Sequence, residues 1–371
     1  VTRPKDPSLA AVPPARSGRC PTPVADGRDG AGSPSLSVVV PVHDGGDAFR
    51  SCLAALGAAL GPRDELVVVA DGATDGAWRA AEGTRARVLV TPQARGPAHA
   101  RNRGARAAAG DVLFFVDADV VVRPDTLEAV RRRFAADPEL DALVGSYDHA
   151  PADPGFVSQY RNLLHHHAHQ RVDGRVSTFW GACGAVRRSA FWAVGGFDES
   201  YRAPSVEDVE LGYRLADAGY AIRLDRDVRV KHLKRWTAGS VVRTDVFARA
   251  APWARLLLRR RAVEGGPSVG AGARVSTAAV CALPAFGLAA RRAPRLALGG
   301  AAGALAATLA VNAPFYAFLR RERGAAFAAR AVPWHLVYFA CSGAGAALGL
   351  AQHVSEALAG RAASPAVEQH A

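Results

Sequence analysis

The apolar positions of the chain fall first into short runs of strand length, separated by segments of helical period. Leu36–Val42 (LSVVVPV), residues 65–70 (ELVVVA), residues 87–90 and Val112–Val116 (VLFFV) are rich in β-branched and aromatic side chains. Runs of this kind predict strands covered on both faces. Residues 48–60 and 97–109 carry apolar groups at helical spacing, the second Ala-rich and closed by Gly110. Residues 124–136 predict a further helix, with Pro124 in its first turn. This alternation predicts an α/β fold, a doubly wound, mainly parallel sheet with helices on both faces. Ligands of such sheets sit at the carboxyl ends of the strands. Asp44, Asp71 and the pair Asp117 and Asp119 fall there, at the ends of different strands.

The second half mixes signals. Phe156–Gln170 has helical period, and residues 178–186 (TFWGACGAV) form a Gly-broken strand or loop. A short helix over 189–194 precedes Gly195 and Gly196, and a helix over 206–218 ends at Gly219. Residues 221–224 and 228–231 predict two edge strands, and 237–261 a basic helical region broken at Pro252. Beyond it lie three uncharged stretches, 275–290, 296–319 and 331–352. A membrane span takes about 20 apolar residues. The second and third qualify, whereas the first is short, contains Pro284 and predicts a re-entrant or interfacial segment. The competing reading is an Ala-rich soluble helical cap.

Charge separates the same two halves. The 371 residues carry a net +12, which by itself suggests a nucleic-acid partner. Residues 1–225, however, hold 26 basic and 28 acidic side chains, against 11 and 2 in residues 226–262 and 9 and 4 in residues 263–371. A basic excess confined to the neighbourhood of apolar runs suits an anionic membrane surface and excludes a nucleic-acid-binding globular domain. Arg255, Arg259, Arg260 and Arg261, with Trp253 and Leu256 to Leu258, form an interfacial anchor. The basic loop of Arg320, Arg321, Arg323 and Arg330 is expected on the cytoplasmic side with the α/β domain, and a re-entrant 275–290 puts Arg291, Arg292 and Arg295 there too. Five Cys without a CxxC pair argue against a disulfide scaffold or structural zinc. Residues 1–34 read as a Pro/Ala/Arg/Gly-rich tail without the apolar core of a signal peptide.

Two carboxylates two residues apart on the turn leaving a strand, Asp117 and Asp119, suit a hard divalent cation that keeps positions open for phosphate. Glu207 and Asp208 open a helix, where capping alone favours acids; one of them can also serve as a general base for an acceptor hydroxyl. His165 and His169 share a helical face at metal-pair spacing, but no HExxH glutamate accompanies them, and polar wall residues of a pocket are the favoured reading. Phe179, Trp180, Phe191 and Trp192 are read as half-buried core aromatics before sugar platforms. Cys183, with no His/Asn partner pattern, is read as a small packed residue.

The motifs SVVVPVH (residues 37–43), VVVADGATD (67–75), ARNRG (100–104), DVLFFVDAD (111–119), RRSAFWAVGGFDE (187–199) and EDVELGYRLADAGY (207–220) together resemble family 2 glycosyltransferases of GT-A fold, membrane-associated bacterial members in particular. The resemblance covers roughly residues 35–235. It implies inverting transfer of a sugar from a nucleotide-diphosphate donor, usually a UDP-sugar, with Mg²⁺ or Mn²⁺, in cell-envelope glycan synthesis. By resemblance, Pro41, His43 and Asp44 pack against the nucleotide, Asp71 reads the base, and Asp117 and Asp119 hold metal and diphosphate with His232. The charge that develops on a diphosphate leaving group calls for fixed donors, and Arg95, Arg101, Lys231 and Arg235 are the candidate helpers. Asp208 is the base with Glu207 beside it, and Trp180, Gly181, Cys183 and Gly184 line the acceptor pocket. Two departures stand out. Ala70 replaces one of the paired carboxylates after the second strand, and His232-Leu233-Lys234-Arg235-Trp236 has His where processive synthases have Gln, which disfavours a polymer synthase.

The expected organisation is a tail over 1–34 and a GT-A domain over 35–235. The domain divides into a nucleotide-binding half to residue 120 and an acceptor half after it. Interfacial helices follow over 236–272, then two or three membrane helices over 273–354 and a tail over 355–371. The expected protein sits in the inner membrane with its catalytic domain cytoplasmic and a lipid-linked or membrane-held acceptor. The alternatives are a polyprenyl-phosphate glycosyltransferase needing no base, or a non-catalytic nucleotide-sugar-binding protein. A nucleotidyltransferase is disfavoured because residues 42–47 lack a basic residue.

Overall fold

The computed structural model describes residues 33–260 and 270–363. The expected tail over 1–34 therefore falls, apart from residues 33 and 34, outside the described residues, as do 261–269 and 364–371.

The first half runs β1 (Leu36–Val42), α1 (Gly46–Ala59), β2 (Glu65–Asp71), β3 (Ala86–Thr91), α2 (Pro97–Ala107) and β4 (Val112–Val116). The strands pair in parallel in the order β3-β2-β1-β4. All of β4, and all of β1 except Pro41, is buried, as expected of strands covered on both faces.

The chain continues through β5 (Val120–Val122), α3 (Thr126–Ala136), β6 (Ala142–Tyr147), α4 (Phe156–Gln170), β7 (Gly174–Val176), β8 (Cys183–Arg187), α5 (Arg188–Ala193), α6 (Glu207–Asp217) and β9 (Ile222–His232). β8 pairs antiparallel with β4, and the sheet extends through β6 and β9 to β5, with β7 also on β9. Residues 221–224 and 228–231 are thus not two edge strands. They are parts of one interior strand, parallel to β6 with a register shift between Val144 and Ser146. That irregularity spreads the charged residues 225–227 without breaking the strand.

After the sheet, α7 (Ala238–Arg243) passes through a π-helical segment (Thr244–Ala250) into α8 (Ala251–Arg260). The expected break at Pro252 is absent. The wider π turn just before it relieves the clash of the proline ring with the preceding turn. α9 (Ala271–Ala289) runs unbroken through Pro284 and packs antiparallel on α10 (Pro294–Val311), where Asn312 Nδ2 donates to Ser276 Oγ at 2.9 Å. α11 (Ala313–Arg323) places Phe315, Phe318 and Leu319 against Tyr160 and Leu163 of α4. α12 (Ala325–Ala363) extends past the expected limit at 354. It packs on the π segment and α8 through small residues: a Cβ at Gly345 would meet Ala250 Cβ at 2.4 Å. The hairpin puts Arg291, Arg292 and Arg295 at the end remote from α11, so the two basic loops lie at opposite ends. The re-entrant arrangement of 275–290 is not what the helix adopts.

Candidate functional site

The carboxyl ends of β1 and β2 are stitched together by hydrogen bonds. Asp44 Oδ1 accepts from the backbone N–H groups of Thr74 (2.7 Å) and Asp75 (3.1 Å), which hold its carboxyl below the usual range. His43 Nδ1 meets the Asp71 carbonyl at 2.8 Å. Asp71 Oδ2 accepts from the N–H groups of Arg95 (2.9 Å) and Gly96 (2.8 Å), whereas its buried Oδ1 has no partner. Arg95 thus acts on Asp71 through its backbone, with its side chain exposed. Gly96 needs its φ of +99°, and a Cβ there would lie 2.5 Å from the Arg202 carbonyl oxygen. Ala70 is fully buried in the core, so a carboxylate at that position would face apolar side chains rather than a ligand.

Arg101, on α2, is the hub of the acidic constellation. It is 4% exposed, donates from Nη2 to Asp117 Oδ1 (2.7 Å) and from Nη1 to Glu207 Oε1 (2.8 Å), and lies against Gly181, where a Cβ would be 3.0 Å from its Cζ. Burial opposes its charge, but Asp117, Glu207 and Asp208 together raise its pKa. The other Glu207 oxygen accepts from the Ser205 N–H at 2.8 Å, so Glu207 is committed to structure. Asp208 is different. Its oxygens accept from the N–H groups of Gly181 (3.0 Å) and Val209 (2.8 Å), and burial together with the Glu207 charge pushes its pKa up to about 6. A carboxylate so poised can take a proton near neutral pH.

Asp117 is also raised, by burial and by the Asp119 and Glu207 charges acting against Arg101. Asp119 goes the other way, because His232 and Lys234 outweigh its burial. The β5–β9 pairing sets Val120 opposite His232 and brings His232 Nε2 to 3.4 Å from Asp119 Oδ2. The His232 ring stacks on Tyr147 with centroids 4.4 Å apart and planes 9° from parallel. Among the described residues no three His, Cys, Asp or Glu side chains converge as a metal cage. A carboxylate oxygen and an imidazole nitrogen face each other, with Asp117 alongside, in a site of excess negative charge. This donor set fits a divalent cation that draws its remaining ligands from phosphate oxygens.

The structure places the other expected residues less centrally. Lys231 Nζ pairs with Asp148 Oδ2 at 3.0 Å and bonds the Ala150 carbonyl. The Arg235 side chain is 82% exposed and lies 3.9 Å from Asp153. Pro41 is half-buried within β1. Cys183 and Gly184 are buried in β8, and burial pushes the Cys183 thiol up to about 12, which makes it a packed residue and not part of an open pocket wall. Gly181 is buried but turns its N–H to Asp208, and Trp180 is half-buried. His165 and His169, ring centroids 4.0 Å apart and tilted by 38°, pack beside Trp180, and His169 Nδ1 meets the Gly145 carbonyl at 3.0 Å. Burial lowers both imidazoles, so the pair is a neutral aromatic surface beside Trp180. Tyr147, the support of His232, carried no sequence signal because its strand had none.

The sequence model described as "Glycosyl transferase family 2" matches residues 37–195. The pre-mycofactocin glycosyltransferase of Mycobacterium tuberculosis is 31% identical over 227 residues, 55% of this chain and 44% of that protein. The validoxylamine A glucosyltransferase of Streptomyces hygroscopicus subsp. limoneus is 28% identical over 228 residues, 52% of this chain and 50% of that protein. The chain thus spans about half the length of the curated relatives it matches. Among solved structures, the mannosyltransferase PcManGT from Pyrobaculum calidifontis, in complex with GDP-Man and Mn²⁺, shares the fold. Its TM-score is 0.54 and its identity 24%, covering 85% of this chain and 87% of that one. That share exceeds the sheet domain, so the likeness of fold takes in C-terminal helices.

Proposed function

We propose, from the match of residues 37–195 to the family 2 glycosyltransferase model, that this chain performs inverting transfer of a sugar from a nucleoside-diphosphate donor to an acceptor held at a membrane. The carrying observation is the division of labour around Arg101. That guanidinium neutralises Asp117 and Glu207 and leaves Asp208 poised near pH 6.

The unpartnered, buried Asp71 Oδ1 accepts a ring N–H of the base. Uracil N3–H and guanine N1–H both supply one; cytosine does not. A UDP-sugar is the first donor to test, and the GDP-Man of the Pyrobaculum mannosyltransferase makes GDP-sugars the second. Asp119 and His232, with Asp117 alongside, would hold a divalent cation, which would offset the charge of the departing diphosphate. Asp208 takes the acceptor hydroxyl proton as that oxygen bonds the anomeric carbon and the bond to the diphosphate breaks. One such displacement inverts the centre. Gly181 and Val209 hold Asp208 in place through their N–H groups.

The membrane part of the reading rests on α9, α10 and α12, three helices long and apolar enough to span. Leu288, Leu296 and Leu298 are each more than 70% exposed, apolar surface that suits lipid. Arg260 pairs with Asp217 of α6 and Arg323 bonds the His149 carbonyl, so these cations lie at the catalytic domain, against Arg291, Arg292 and Arg295 at the far turn of the α9–α10 hairpin. This bias orients the catalytic side to the cytoplasm, in a bacterial cell at the inner membrane.

The test is a panel of UDP- and GDP-sugars with membrane lipid extract, scored for nucleotide release with Mg²⁺, Mn²⁺ or EDTA. Release with a donor and a cation, lost in EDTA, is expected. No release with any donor and either cation sinks the enzyme reading and leaves a nucleotide-sugar-binding protein.

A further inference from the structure

A second cavity lies outside the cleft, at the junction of the sheet domain and the apolar helices. It measures about 470 Å³ and is lined by the loop before α4, the chain leaving β9 and the first turns of α12. Arg235, Trp236, Arg330, Trp334, Phe156 and Asp153 form its walls; Asp119, Asp208 and Trp180 do not. It is thus distinct from the site of chemistry.

The walls are chemically uneven. Arg330 lies with Cζ 4.4 Å from the Phe156 ring centroid, which fixes the guanidinium and leaves its edge N–H groups free to donate. Arg235 reaches only Asp153, at 3.9 Å, beyond hydrogen-bond distance. Among the described residues neither guanidinium donates a hydrogen bond to the protein. Asp153, the one carboxylate in the wall, already accepts from the Gly155 N–H at 2.9 Å. Two arginines against one acid leave a net positive cavity. Tryptophans with arginines where α12 begins, beside the loop before α4, are the composition of a headgroup layer.

An apolar groove is lined by the next stretch of the chain. Thr237 lines the cavity, and the next residue, Ala238, lines a groove of about 770 Å³ with Val242, Arg243 and Phe247. Phe247 is 62% exposed there. A basic, aromatic cavity next to an apolar groove matches an amphiphile with an anionic head.

We propose that this junction binds an anionic phospholipid of the surrounding bilayer, its phosphate between Arg235 and Arg330 and its acyl chain along the groove at Val242 and Phe247. The proposal rests on the membrane reading above and is independent of the transferase chemistry. A bound lipid would tie α12 to the loop before α4, and so fix the height of the cleft above the membrane.

The full chain is tested in two steps. Flotation with neutral phosphatidylcholine vesicles first tests the membrane reading: a chain that stays in solution ends both. Native mass spectrometry from detergent then compares retention of phosphatidylglycerol and phosphatidylcholine by the natural chain, R330Q and R330K. The expected result is a preference for phosphatidylglycerol that falls about tenfold in R330Q, the loss of one charge-assisted contact, and is largely kept in R330K. If R330Q does not purify folded, R235Q takes its place. Equal retention of the two lipids by the natural chain, or an unchanged preference in the Gln variant, overturns the site and leaves the membrane reading standing. Thermal stabilisation by inorganic phosphate equal to that by phosphatidylglycerol, lost in the same variant, marks a free-anion site and also overturns it. Nucleotide release is scored separately, so loss of lipid preference and loss of the transferase reading remain distinguishable.

Discussion

Replacing Asp208 by Asn should stabilise the protein at neutral pH while removing most of its activity. Burial and the Glu207 charge raise the Asp208 pKa from 3.8 to about 6 in the folded chain. Below pH 4 the group is protonated in both folded and unfolded chains and costs nothing. As pH rises from 4 through 6 the unfolded chain releases this proton first, so the fold loses stability and carries the full penalty above pH 6. At roughly 1.4 kcal/mol per pKa unit the penalty is on the order of 3 kcal/mol. Asn removes it. An amide has one acceptor oxygen, however, so one of the bonds from Gly181 and Val209 is lost, at about 1 kcal/mol. The net gain is about 1–2 kcal/mol at pH 7.5 and vanishes or reverses near pH 4. Melting of the two proteins with EDTA present, at pH 4.5 and pH 7.5, measures it without a cation beside the carboxylates. A D208N protein less stable at pH 7.5, or a difference independent of pH, refutes the argument. Nucleotide release should fall by about 10²–10⁴-fold with nucleotide affinity kept. Near-normal turnover would remove Asp208 as base and favour an acceptor already ionised, such as a polyprenyl phosphate.

Arg101→Ala leaves Asp117 and Glu207 buried without their partner and should destabilise by about 3–5 kcal/mol; a melting curve like that of the natural chain counts against the hub. Glu207→Gln should cost stability more than turnover, the reverse of D208N, and equal losses of turnover in the two would mean that Glu207 shares the base role. Asp71→Asn turns an acceptor into a mixed donor and should weaken nucleotide binding by about tenfold or more in calorimetry, with no change expected if Oδ1 does not meet the base. His232→Ala should raise the Mn²⁺ concentration needed for half-maximal nucleotide release, and an unchanged requirement places the cation elsewhere.

The parallel half of the sheet was legible because its strands are buried on both faces and therefore apolar throughout. Leu36–Val42 and Val112–Val116 begin and end where their hydrophobic runs do. The other half was not. β6 (ALVGSY) contains Gly145 and Ser146 and has no strand pattern of its own, and in β9 Asp225, Arg226 and Asp227 split the pattern into two short runs. The pairing of β6 with β8 and β9, and of β9 with β5, decides the conformation, a case of neighbours overriding local preference. Of the candidate site, the carboxylates were legible from their places at strand ends. Their partners were not, because Arg is too common in this chain for Arg101 to stand out from Arg95 or Arg235. What distinguishes it is depth: 4% exposure for Arg101, 82% for the Arg235 side chain.

That difference in depth explains how one residue type serves two purposes here. A guanidinium at Arg101, enclosed by three carboxylates, holds its proton at any working pH and fixes Asp117 and Glu207 in place. Its two good hydrogen bonds go to Asp117 and Glu207, so Asp208 feels its charge without being bound by it, and stays poised for proton transfer. The same group at Arg235 and Arg330 has no hydrogen-bond acceptor within the described protein and faces outward, where lipid phosphate can supply one. The net −2 of the first 225 residues and the basic excess after them are therefore two separate electrostatic designs. The first is closed on itself around the chemistry. The second is closed in part, Arg260 on Asp217 and Arg255 and Arg259 on Glu356, and open at Arg235 and Arg330, so raising ionic strength should weaken the preference for anionic lipid well before it disturbs the buried bonds of Arg101. Salt-dependent lipid preference, set beside salt-dependent melting, separates the two. A melting point that falls with salt in step with that preference would mean that the two charge sets are not independent.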